Sequence, residues 1–249
     1  MKPMKTLLLV GGYGRRLRES VSSLPKPMAE IAGSPFLEYL LYQLKSQSFN
    51  DFIFCVGYLA DTIQAYFGDG SHWSVNIDYS REEEPLGTAG AIKLASRLFS
   101  DDDFLVVNGD SLMVIKLHKL IDFHFKRNAL ATIAVTPAKD IERFGKVVLG
   151  ENNRIAQFSE KSTAGHGMIN GGIYVINRKV LDCIPDKKFC SLENEIFPQL
   201  VDKGCYGMVF KKAFFIDIGT PESYLAVKTN PDIFISIINK AKKEHIDVN

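Results

Sequence analysis

The sequence predicts an α/β fold in which a parallel sheet is followed by an inserted group of strands. The first observation is that short apolar runs alternate with amphipathic segments through residues 7–79, in the order strand, helix, strand, helix, strand. The second is a change of pattern near Ala129, after which strand-like segments follow one another. The first half should therefore hold a parallel sheet with right-handed crossovers, and the second half should add a sheet region.

An apolar run and a glycine-rich turn near the amino terminus predict a phosphate-binding site. Residues 7–10 are typical of a buried parallel strand, and they stop at the turn Gly-Gly-Tyr-Gly of residues 11–14. Arg15 and Arg16 follow at once, and Lys26 stands between two prolines. Glycines let the backbone come close to a ligand, and the cations bind phosphate oxygens. A glycine-rich strand end with solvated arginines is the competing interpretation.

Two common phosphate-binding fingerprints do not fit this turn. The dinucleotide pattern G-x-G-x-x-G needs a third glycine where this chain has Leu17, which argues against a dinucleotide-dependent oxidoreductase. The P-loop pattern G-x-x-x-x-G-K-[ST] is absent from the sequence. The turn therefore indicates another class of phosphate-binding protein.

Hydrophobic periodicity places the elements of the first half. The apolar positions of residues 36–47 recur at helical spacing, and residues 51–56 form a short apolar strand. The other elements expected there are a helix at 59–67, a strand at 75–79, a helix at 91–98, a strand at 104–107 and a helix at 117–127. Ligands of parallel sheets bind at the carboxyl ends of the strands, so the loops at those ends are the candidate site.

The loop SREEEPLGTAG at residues 80–90 contains three consecutive glutamates. A solvated acidic run is the usual explanation for such a pattern. The loop follows a strand and lies beside the glycine turn, so a contact between Glu82 and a nucleotide base is the alternative. A carboxylate can accept from the ring N–H and the amino group of guanine together.

Two aspartates are candidate magnesium ligands. Asp110 follows a buried strand and a glycine, and Asp217 interrupts the apolar run of residues 214–219. A buried charge needs a partner, and carboxylate oxygens are ligands that Mg²⁺ prefers. A helix-capping role for Asp110 is the alternative.

The second half is expected to be rich in strands. Strands are predicted at residues 130–135, 145–149, 154–160 and 168–175, with helices at 191–201, disturbed by Pro198, and after Thr220 as N-cap. Three motifs there offer groups for hydroxyls and a phosphate, namely Phe144-Gly145, Glu160-Lys161 and Asn170-Gly171-Gly172. Each motif is weak alone, since a Glu-Lys pair is most often a surface ion pair.

The composition excludes several classes of protein. The 249 residues are 46% hydrophobic, which excludes a disordered chain, and 30 basic against 29 acidic residues argue against nucleic-acid binding by bulk charge. No apolar run approaches the ~18 residues of a membrane span, and the amino terminus lacks a signal-peptide cleavage site. The four cysteines are far apart and the histidines form no zinc motif, so we expect a reduced, cytoplasmic protein.

Taken together, separated motifs resemble the sugar-1-phosphate nucleotidylyltransferase family, whose signature reads GGxGTRLRP, a short gap, then PKP. The matching stretches are GGYGRRLR and LPKPM within residues 11–28, EPLGTAGA at 84–91, NGD at 108–110, MINGGIY at 168–174, CSLENEIFPQL at 190–200 and FFIDIGTPESY at 214–224. They are most similar to the guanylyltransferases for D-glycero-D-manno-heptose 1-phosphate and, nearly as well, for mannose 1-phosphate.

The resemblance implies a fold and a set of site residues. The fold is a Rossmann-like doubly wound mixed sheet of the nucleotide-diphospho-sugar transferase type, with an inserted sugar-binding β region. The nucleotide-binding residues it implies are Leu9, Gly11, Gly12, Gly14, Arg15, Arg16, Glu82, Gly87, Thr88 and Gly109. The residues it implies for the sugar phosphate are Lys26, Gly145, Glu160, Lys161, Asn170 and Gly171. It further implies that Arg16 and Lys26 are catalytic and that Asp110 and Asp217 bind Mg²⁺.

The activity implied by the resemblance is transfer of a nucleotidyl group from an NTP, in the first place GTP, to a sugar 1-phosphate. The partners would be these two substrates and a second copy in a homodimer, with no nucleic acid and no membrane. One domain would span residues 1–235, with a nucleotide-binding part to about 128, a sugar-phosphate part at about 129–219 and a polar tail at 236–249. The product would be a precursor of a lipopolysaccharide, capsule or S-layer glycan.

Two departures from the signature keep other functions open. Arg15 replaces the usual threonine, and Ser20 stands where a proline commonly follows the arginines. The alternatives are a mannose-1-phosphate guanylyltransferase, a glucose-1-phosphate thymidylyl- or cytidylyltransferase, and an inactive regulatory NTP-binding homologue.

Overall fold

The computed structural model describes residues 4–14, 24–139, 141, 144, 146–159, 165–232, 235–236 and 239. These residues form two compact units. The first consists of the described residues within Met1–Pro85, Asn108–Leu112 and Ile216–Asn249, and the second of those within Leu86–Val107 and Met113–Phe215.

The first unit is built on three parallel strands. Its elements up to residue 85 are β1 (Thr6–Leu9), β2 (Glu30–Ile31), β3 (Ser34–Pro35), α1 (Phe36–Lys45), β4 (Asp51–Val56), α2 (Ala60–Phe67) and β5 (Asn76–Arg81). Strand β4 pairs in parallel with β1 on one side and with β5 on the other, with Leu8 opposite Phe54 and Phe54 opposite Tyr79. The alternation of apolar runs and helices therefore predicted this part correctly.

Aromatic packing stabilises these strands. The fully buried ring of Phe54 lies 5.4 Å from the ring of Phe67 and 5.8 Å from that of Tyr79, both edge to face. Edge-to-face ring pairs add about 0.5–1.5 kcal/mol each beyond the area they bury. Strand β4 is thereby fixed against α2 and β5, and its carboxyl end, where Gly57 follows, is held in place.

The chain continues with elements that are mainly in the second unit. These are α3 (Gly87–Ala95), β6 (Asp103–Asn108), β7 (Ser111–Val114), α4 (Leu117–Arg127), β8 (Ala131–Ala138), β9 (Lys146–Leu149), β10 (Ile155–Ser159), β11 (Gly167–Asn177), α5 (Phe197–Leu200), β12 (Cys205–Val209), β13 (Phe214–Asp217) and, back in the first unit, α6 (Pro221–Thr229). Strands β7 and β13 pair with each other.

Antiparallel pairing dominates the second unit. Strand β11 pairs antiparallel with β6, β8 and β9, and β9 pairs antiparallel with β10. Strand β12, which the sequence pattern did not predict, pairs in parallel with β8. The change of pattern near Ala129 thus marks the start of a region in which antiparallel pairing predominates.

The predicted helix at residues 191–201 is not a regular helix. A π-helical turn occupies Leu192–Ile196, and only Phe197–Leu200 is α-helical. Proline has no N–H to donate, so Pro198 cannot continue the usual ladder of hydrogen bonds. The hydroxyl of Ser191 caps the turn by accepting from the N–H of Asn194 at 3.2 Å, as its position as N-cap suggested.

The buried side chain of His124 joins α4 to β8 and β6. Its Nδ1 lies 2.9 Å from Oγ1 of Thr132, and its Nε2 lies 3.1 Å from Oδ1 of Asp103. Burial lowers the pKa of His124 below its ordinary value, while the hydrogen bond to Asp103 acts in the opposite direction.

Within the described residues, no helix is both long and apolar enough to cross a membrane. All four cysteines lie in the described part of the chain and are free thiols.

Candidate functional site

The glycine-rich turn of residues 11–14 follows β1 in the first unit. Among the described residues other than its chain neighbours, none has an atom within 4 Å of the position that a Cβ on Gly12 would occupy. Gly14 has a φ of +57°, and a Cβ there would lie 3.0 Å from Cβ of Lys26. Because glycine alone adopts such a backbone conformation easily and leaves this space free, the turn can lie directly against the Lys26 side chain.

Lys26 forms an ion pair with the first predicted metal ligand. Its Nζ is 2.5 Å from Oδ2 of Asp110, and the side chains are 11% and 39% exposed. Charge-assisted hydrogen bonds in partly buried places are roughly twice as strong as neutral ones. The pair therefore holds the lysine ammonium beside the glycine turn.

Asp217, the second predicted metal ligand, lies next to the same lysine. A Cβ on Gly219 would be 2.8 Å from Oδ1 of Asp217 and 3.2 Å from Nζ of Lys26. The N–H of Gly219 donates to Oδ1 of Asp217 at 2.9 Å. The missing side chain at Gly219 thus leaves room for the cation and the carboxylate near one point. Gly219 was not among the residues predicted from the sequence, although the D-x-G pattern of residues 217–219 was the available signal.

Backbone hydrogen bonds fix Asp110 between two other segments. The N–H of Gly109 donates to the carbonyl oxygen of Leu9 at 3.0 Å, and the N–H of Ile218 donates to the carbonyl oxygen of Asp110 at 2.9 Å. A Cβ on Gly109 would lie 2.7 Å from the Leu9 oxygen, so this approach requires glycine. The first unit therefore brings together the predicted residues Leu9, Gly109 and Asp110.

The carboxylates of Asp110 and Asp217 are of the chemical type that binds Mg²⁺. Mg²⁺ is usually bound by one or two carboxylates together with water and substrate phosphates. Asp110 and Asp217 supply the two carboxylates. Among the described residues, no group of three or more His, Cys, Asp or Glu side chains is placed to hold a metal. The arrangement therefore suits an ion that takes its other ligands from substrate and water.

The carboxylate of Glu82 lies against two glycines that follow β1 and β4. A Cβ on Gly11 would be 2.9 Å from Oε1 of Glu82, and a Cβ on Gly57 would be 2.6 Å from it. Burial first, and the nearby Glu82 second, raise the pKa of the Cys55 thiol. Gly57 was missed in the sequence, where its place just after an apolar run, like that of Gly11, was the available signal.

Two tyrosines next to these glycines were also missed. The rings of Tyr13 and Tyr58 lie 5.0 Å apart with an angle of 31° between their planes. The N–H of Tyr58 donates to the carbonyl oxygen of Gly11 at 3.1 Å. Tyr13 is 44% exposed, so its ring offers a face on which a base can stack.

In the second unit, Gly87 and Thr88 begin helix α3 against Cys190. Gly87 has a φ of +71°, and a Cβ there would lie 2.5 Å from the carbonyl oxygen of Cys190. That oxygen also accepts from the N–H groups of Ala89 and Gly90, at 2.9 and 3.3 Å. Two donors of the first turn are therefore bonded within the protein and are not presented to a phosphate.

Asn170 and Gly171 lie where β11 is irregular. The N–H of Gly172 donates to Oδ1 of Asn170 at 2.9 Å, and Nδ2 of Asn170 donates to the hydroxyl of Tyr174 at 2.8 Å. A Cβ on Gly171 would overlap Sδ of Met113, so packing requires glycine there. The amide of Asn170 is therefore held in a fixed orientation.

The remaining predicted site residues lie outside the described part of the chain, and they stay predictions. They are Arg15, Arg16, Gly145, Glu160 and Lys161.

Residues 5–231 match the family model described as nucleotidyl transferase. That range includes Lys26, Asp110, Asp217 and the glycine turn, and it covers residues of both units. The chain therefore belongs to the nucleotidyl transferase family, and it is a sugar-1-phosphate nucleotidyltransferase by fold and by relatives.

Among its curated relatives, the chain is similar to sugar-1-phosphate guanylyltransferases. The chain is 40% identical over 222 residues to the D-glycero-alpha-D-manno-heptose 1-phosphate guanylyltransferase of Aneurinibacillus thermoaerophilus, covering 89% of this chain and 95% of that protein. It is 38% identical over 223 residues to the mannose-1-phosphate guanylyltransferase of Mycobacterium tuberculosis, covering 88% of this chain and 62% of that protein. The match thus spans nearly all of the first relative and less than two thirds of the second.

Solved structures confirm the predicted fold class. The crystal structure of HddC from Yersinia pseudotuberculosis complexed with GMP-PN matches with a TM-score of 0.80 and 32% identity, covering 90% of this chain and 97% of that one. A putative glucose-1-phosphate thymidylyltransferase from Bacillus anthracis matches with a TM-score of 0.80 at 21% identity, which shows the fold alone. The chain has the predicted mixed α/β fold of nucleotide-diphospho-sugar transferases.

Proposed function

We propose that the protein transfers a guanylyl group from GTP to D-glycero-D-manno-heptose 1-phosphate. The observation that carries the proposal is the meeting of Lys26, Asp110 and Asp217 beside the glycine turn. A phosphate oxygen of the sugar 1-phosphate attacks the α-phosphorus of GTP, the bond from that phosphorus to the bridging oxygen breaks, and pyrophosphate leaves. The products are a GDP-sugar and pyrophosphate.

Neutralisation of charge is the main task of such a site, because both substrates are anions. In this proposal Lys26 bridges the α-phosphate and the attacking phosphate. Arg16, which lies outside the described residues, keeps the role of triphosphate ligand that the sequence predicts. Asp110 and Asp217 would hold Mg²⁺, which supplies positive charge to the phosphate oxygens. Positioning of the two substrates supplies the rest of the rate acceleration. No covalent intermediate with the protein is required.

The base is assigned to guanine through Glu82. Its carboxylate is held beside Gly11 and Gly57, where it can accept from the ring N–H and the amino group of guanine. The identity of 40% to a heptose 1-phosphate guanylyltransferase supports both the base and the sugar. For the sugar phosphate, the proposed residues are Gly145, Glu160, Lys161, Asn170 and Gly171.

Mannose 1-phosphate is the second candidate substrate. It is favoured by the identity of 38% to a mannose-1-phosphate guanylyltransferase. Release of pyrophosphate in a matrix of GTP, ATP, dTTP, CTP and UTP against heptose, mannose and glucose 1-phosphates tests both candidates. We expect the highest kcat/KM for GTP with the heptose phosphate; a preference for dTTP or CTP would overturn the assignment of the base.

We further propose a cytoplasmic enzyme that works as one domain over residues 1–235, with nucleotide binding by residues to about 128. The free state of all four cysteines supports the location. The homodimer stays a prediction, which light scattering in solution tests.

A further inference from the structure

A chain of hydrogen bonds in the second unit connects Thr88 with Asn170 through the carboxylate of Glu193. Oε2 of Glu193 accepts from Oγ1 of Thr88 at 2.9 Å, and Oε1 accepts from the hydroxyl of Tyr174 at 3.2 Å. The Tyr174 hydroxyl in turn accepts from Nδ2 of Asn170 at 2.8 Å. One carboxylate thus lies between a residue predicted for the nucleotide and a residue predicted for the sugar phosphate.

The direction of the bonds on the Asn170 side follows from one backbone group. The N–H of Gly172 can only donate, so it fixes Oδ1 of Asn170 as its acceptor at 2.9 Å and turns Nδ2 toward Tyr174. The Tyr174 hydroxyl accepts there, and its own proton therefore points to Glu193. An acceptor-only group must end this chain, which is the property of a carboxylate.

The Thr88 side has the same direction. The N–H of Leu192 donates to Oγ1 of Thr88 at 2.8 Å, so the hydroxyl proton of Thr88 is directed to Glu193. The hydroxyl of Ser191 adds a third donor, 3.0 Å from Oε2. An amide in place of the Glu193 carboxylate would put an N–H against a hydroxyl proton, and one of the three donors would lose its acceptor.

Rigid surroundings make this link suitable for transmitting a displacement. Tyr174 is fully buried in β11, with its ring 5.2 Å from that of Phe197. Glu193 belongs to the π-helical turn Leu192–Ile196, an irregular element of a type often found at functional sites. Only two side chains, those of Glu193 and Tyr174, therefore stand between Thr88 and Asn170 in this chain of hydrogen bonds.

We propose that Glu193 is a positioning residue that couples the binding of the nucleotide to the binding of the sugar phosphate. It touches neither substrate and acts through Thr88 on one side and through Tyr174 and Asn170 on the other. The inference rests on the proposed function, because it takes Thr88 and Asn170 as the residues that contact the two substrates.

Two substitutions distinguish the two sides of this chain of hydrogen bonds, the Thr88 side and the Asn170 side. For Glu193→Gln we expect the KM values for GTP and for the sugar 1-phosphate both to rise about tenfold, the size expected for one hydrogen bond to a charged group, with a smaller change in kcat. For Tyr174→Phe, which keeps the ring, we expect only the KM for the sugar 1-phosphate to rise. The double variant combines Glu193→Gln and Tyr174→Phe. Both substitutions break the same link to Asn170, so the KM of the double variant for the sugar 1-phosphate should be no higher than that of the more affected single variant.

A matched control is Thr132→Val, which removes a buried hydrogen bond to His124 elsewhere in the same unit. It should lower Tm by a similar amount and leave both KM values unchanged. If Glu193→Gln lowers Tm in the same way but keeps both wild-type KM values, or if the effects of the two variants are additive, the proposal is wrong.

Failure of the proposed function has a different signature. A wild-type protein that releases no pyrophosphate with any substrate pair refutes the guanylyltransferase and leaves Glu193 to be tested by calorimetry with GTP and with a sugar 1-phosphate separately. Weaker binding of both by Glu193→Gln supports the positioning role, and unchanged affinities, or no binding by the wild type, overturn it.

Discussion

At the scale of single residues, Lys26 and Asp110 are each other's partner. Their atoms are 2.5 Å apart, and Asp217 lies beside them. Loss of either side chain removes a charge-stabilising group and also leaves its partner unpaired. Both substitutions should therefore act mainly on the chemical step.

We expect Lys26→Ala and Asp110→Ala to lower kcat by about 10²-fold or more, as for loss of a preorganised stabilising group. Steady-state pyrophosphate release measures this. Lys5→Ala is the matched control, because Lys5 also lies in the first unit and pairs with Asp51 at 3.7 Å. A near-normal kcat in either site variant would remove that residue from the mechanism.

Gly57→Ala tests the place of Glu82. The new Cβ would lie 2.6 Å from Oε1 of Glu82 and 2.9 Å from the carbonyl oxygen of Gly11, so the carboxylate must move. We expect the KM for GTP to rise about tenfold and the preference for GTP over ATP to fall, since a lost hydrogen bond to a base costs about 1–3 kcal/mol.

The control for Gly57→Ala is Gly150→Ala, where the nearest atom that the described residues offer to the new Cβ is Cβ of Ala156 at 3.7 Å. Its kinetic constants should equal those of the wild type. Unchanged discrimination between GTP and ATP in Gly57→Ala would show that Glu82 does not contact the base.

At the scale of elements, the start of helix α3 depends on one left-handed residue. Gly87→Ala places a Cβ 2.5 Å from the carbonyl oxygen of Cys190 at a φ of +71°. Such strain costs about 1–3 kcal/mol, and each 1 kcal/mol lowers Tm by about 2–4 °C in a chain of this size. Differential scanning calorimetry measures the shift. A Tm equal to that of the wild type would mean that the segment at Cys190 moves freely.

Periodicity predicted the regular elements well and the irregular ones poorly. The apolar runs of β1 and β4 and the helical spacing of α1 gave correct elements because burial on one side determines them. Helix α3 starts at Gly87, earlier than the pattern indicated, because Cys190 caps it from far along the chain. Strand β12 was missed for a similar reason, since its pairing with β8 is a long-range interaction.

At the scale of the whole molecule, stability should depend on pH through His124. Burial, the larger effect, lowers the pKa of His124 below the unfolded value of 6.5. Below pH 6.5 the unfolded chain therefore binds more protons than the folded chain. The contribution of His124 to the free energy of unfolding is complete above pH 6.5, and it is lost as the pH falls toward the folded-state pKa. Tm should fall on acidification from pH 7.5 to 5.5.

Chemical denaturation at several pH values of the wild type and of His124→Gln measures this contribution. The slope of unfolding free energy against pH should be smaller in the variant. His72→Gln, which removes an exposed histidine, is the matched control. Equal slopes in all three proteins would assign the acid sensitivity to other groups.

Some residues of the candidate site could be predicted from the sequence, because a residue of a telling type stands at a telling position in a motif. Asp110 was selected because it follows an apolar run, and Asp217 because it interrupts one. Gly57 and Glu193 were not selected, since the roles proposed for them depend on neighbours that are distant in sequence, Glu82 for the first and Thr88 and Tyr174 for the second. Such neighbours become visible only in the folded chain.

The discontinuity of the first unit has a consequence for biosynthesis. Its residues come from Met1–Pro85, from Asn108–Leu112 and from Ile216–Asn249, and the hydroxyl of Tyr224 donates to the carbonyl oxygen of Glu30 across 194 positions. A ribosome makes Lys26 well before Asp217. Contacts between such distant segments form slowly, so a nascent chain brings its cation and both carboxylates together only after the segment that contains Asp217 has been made.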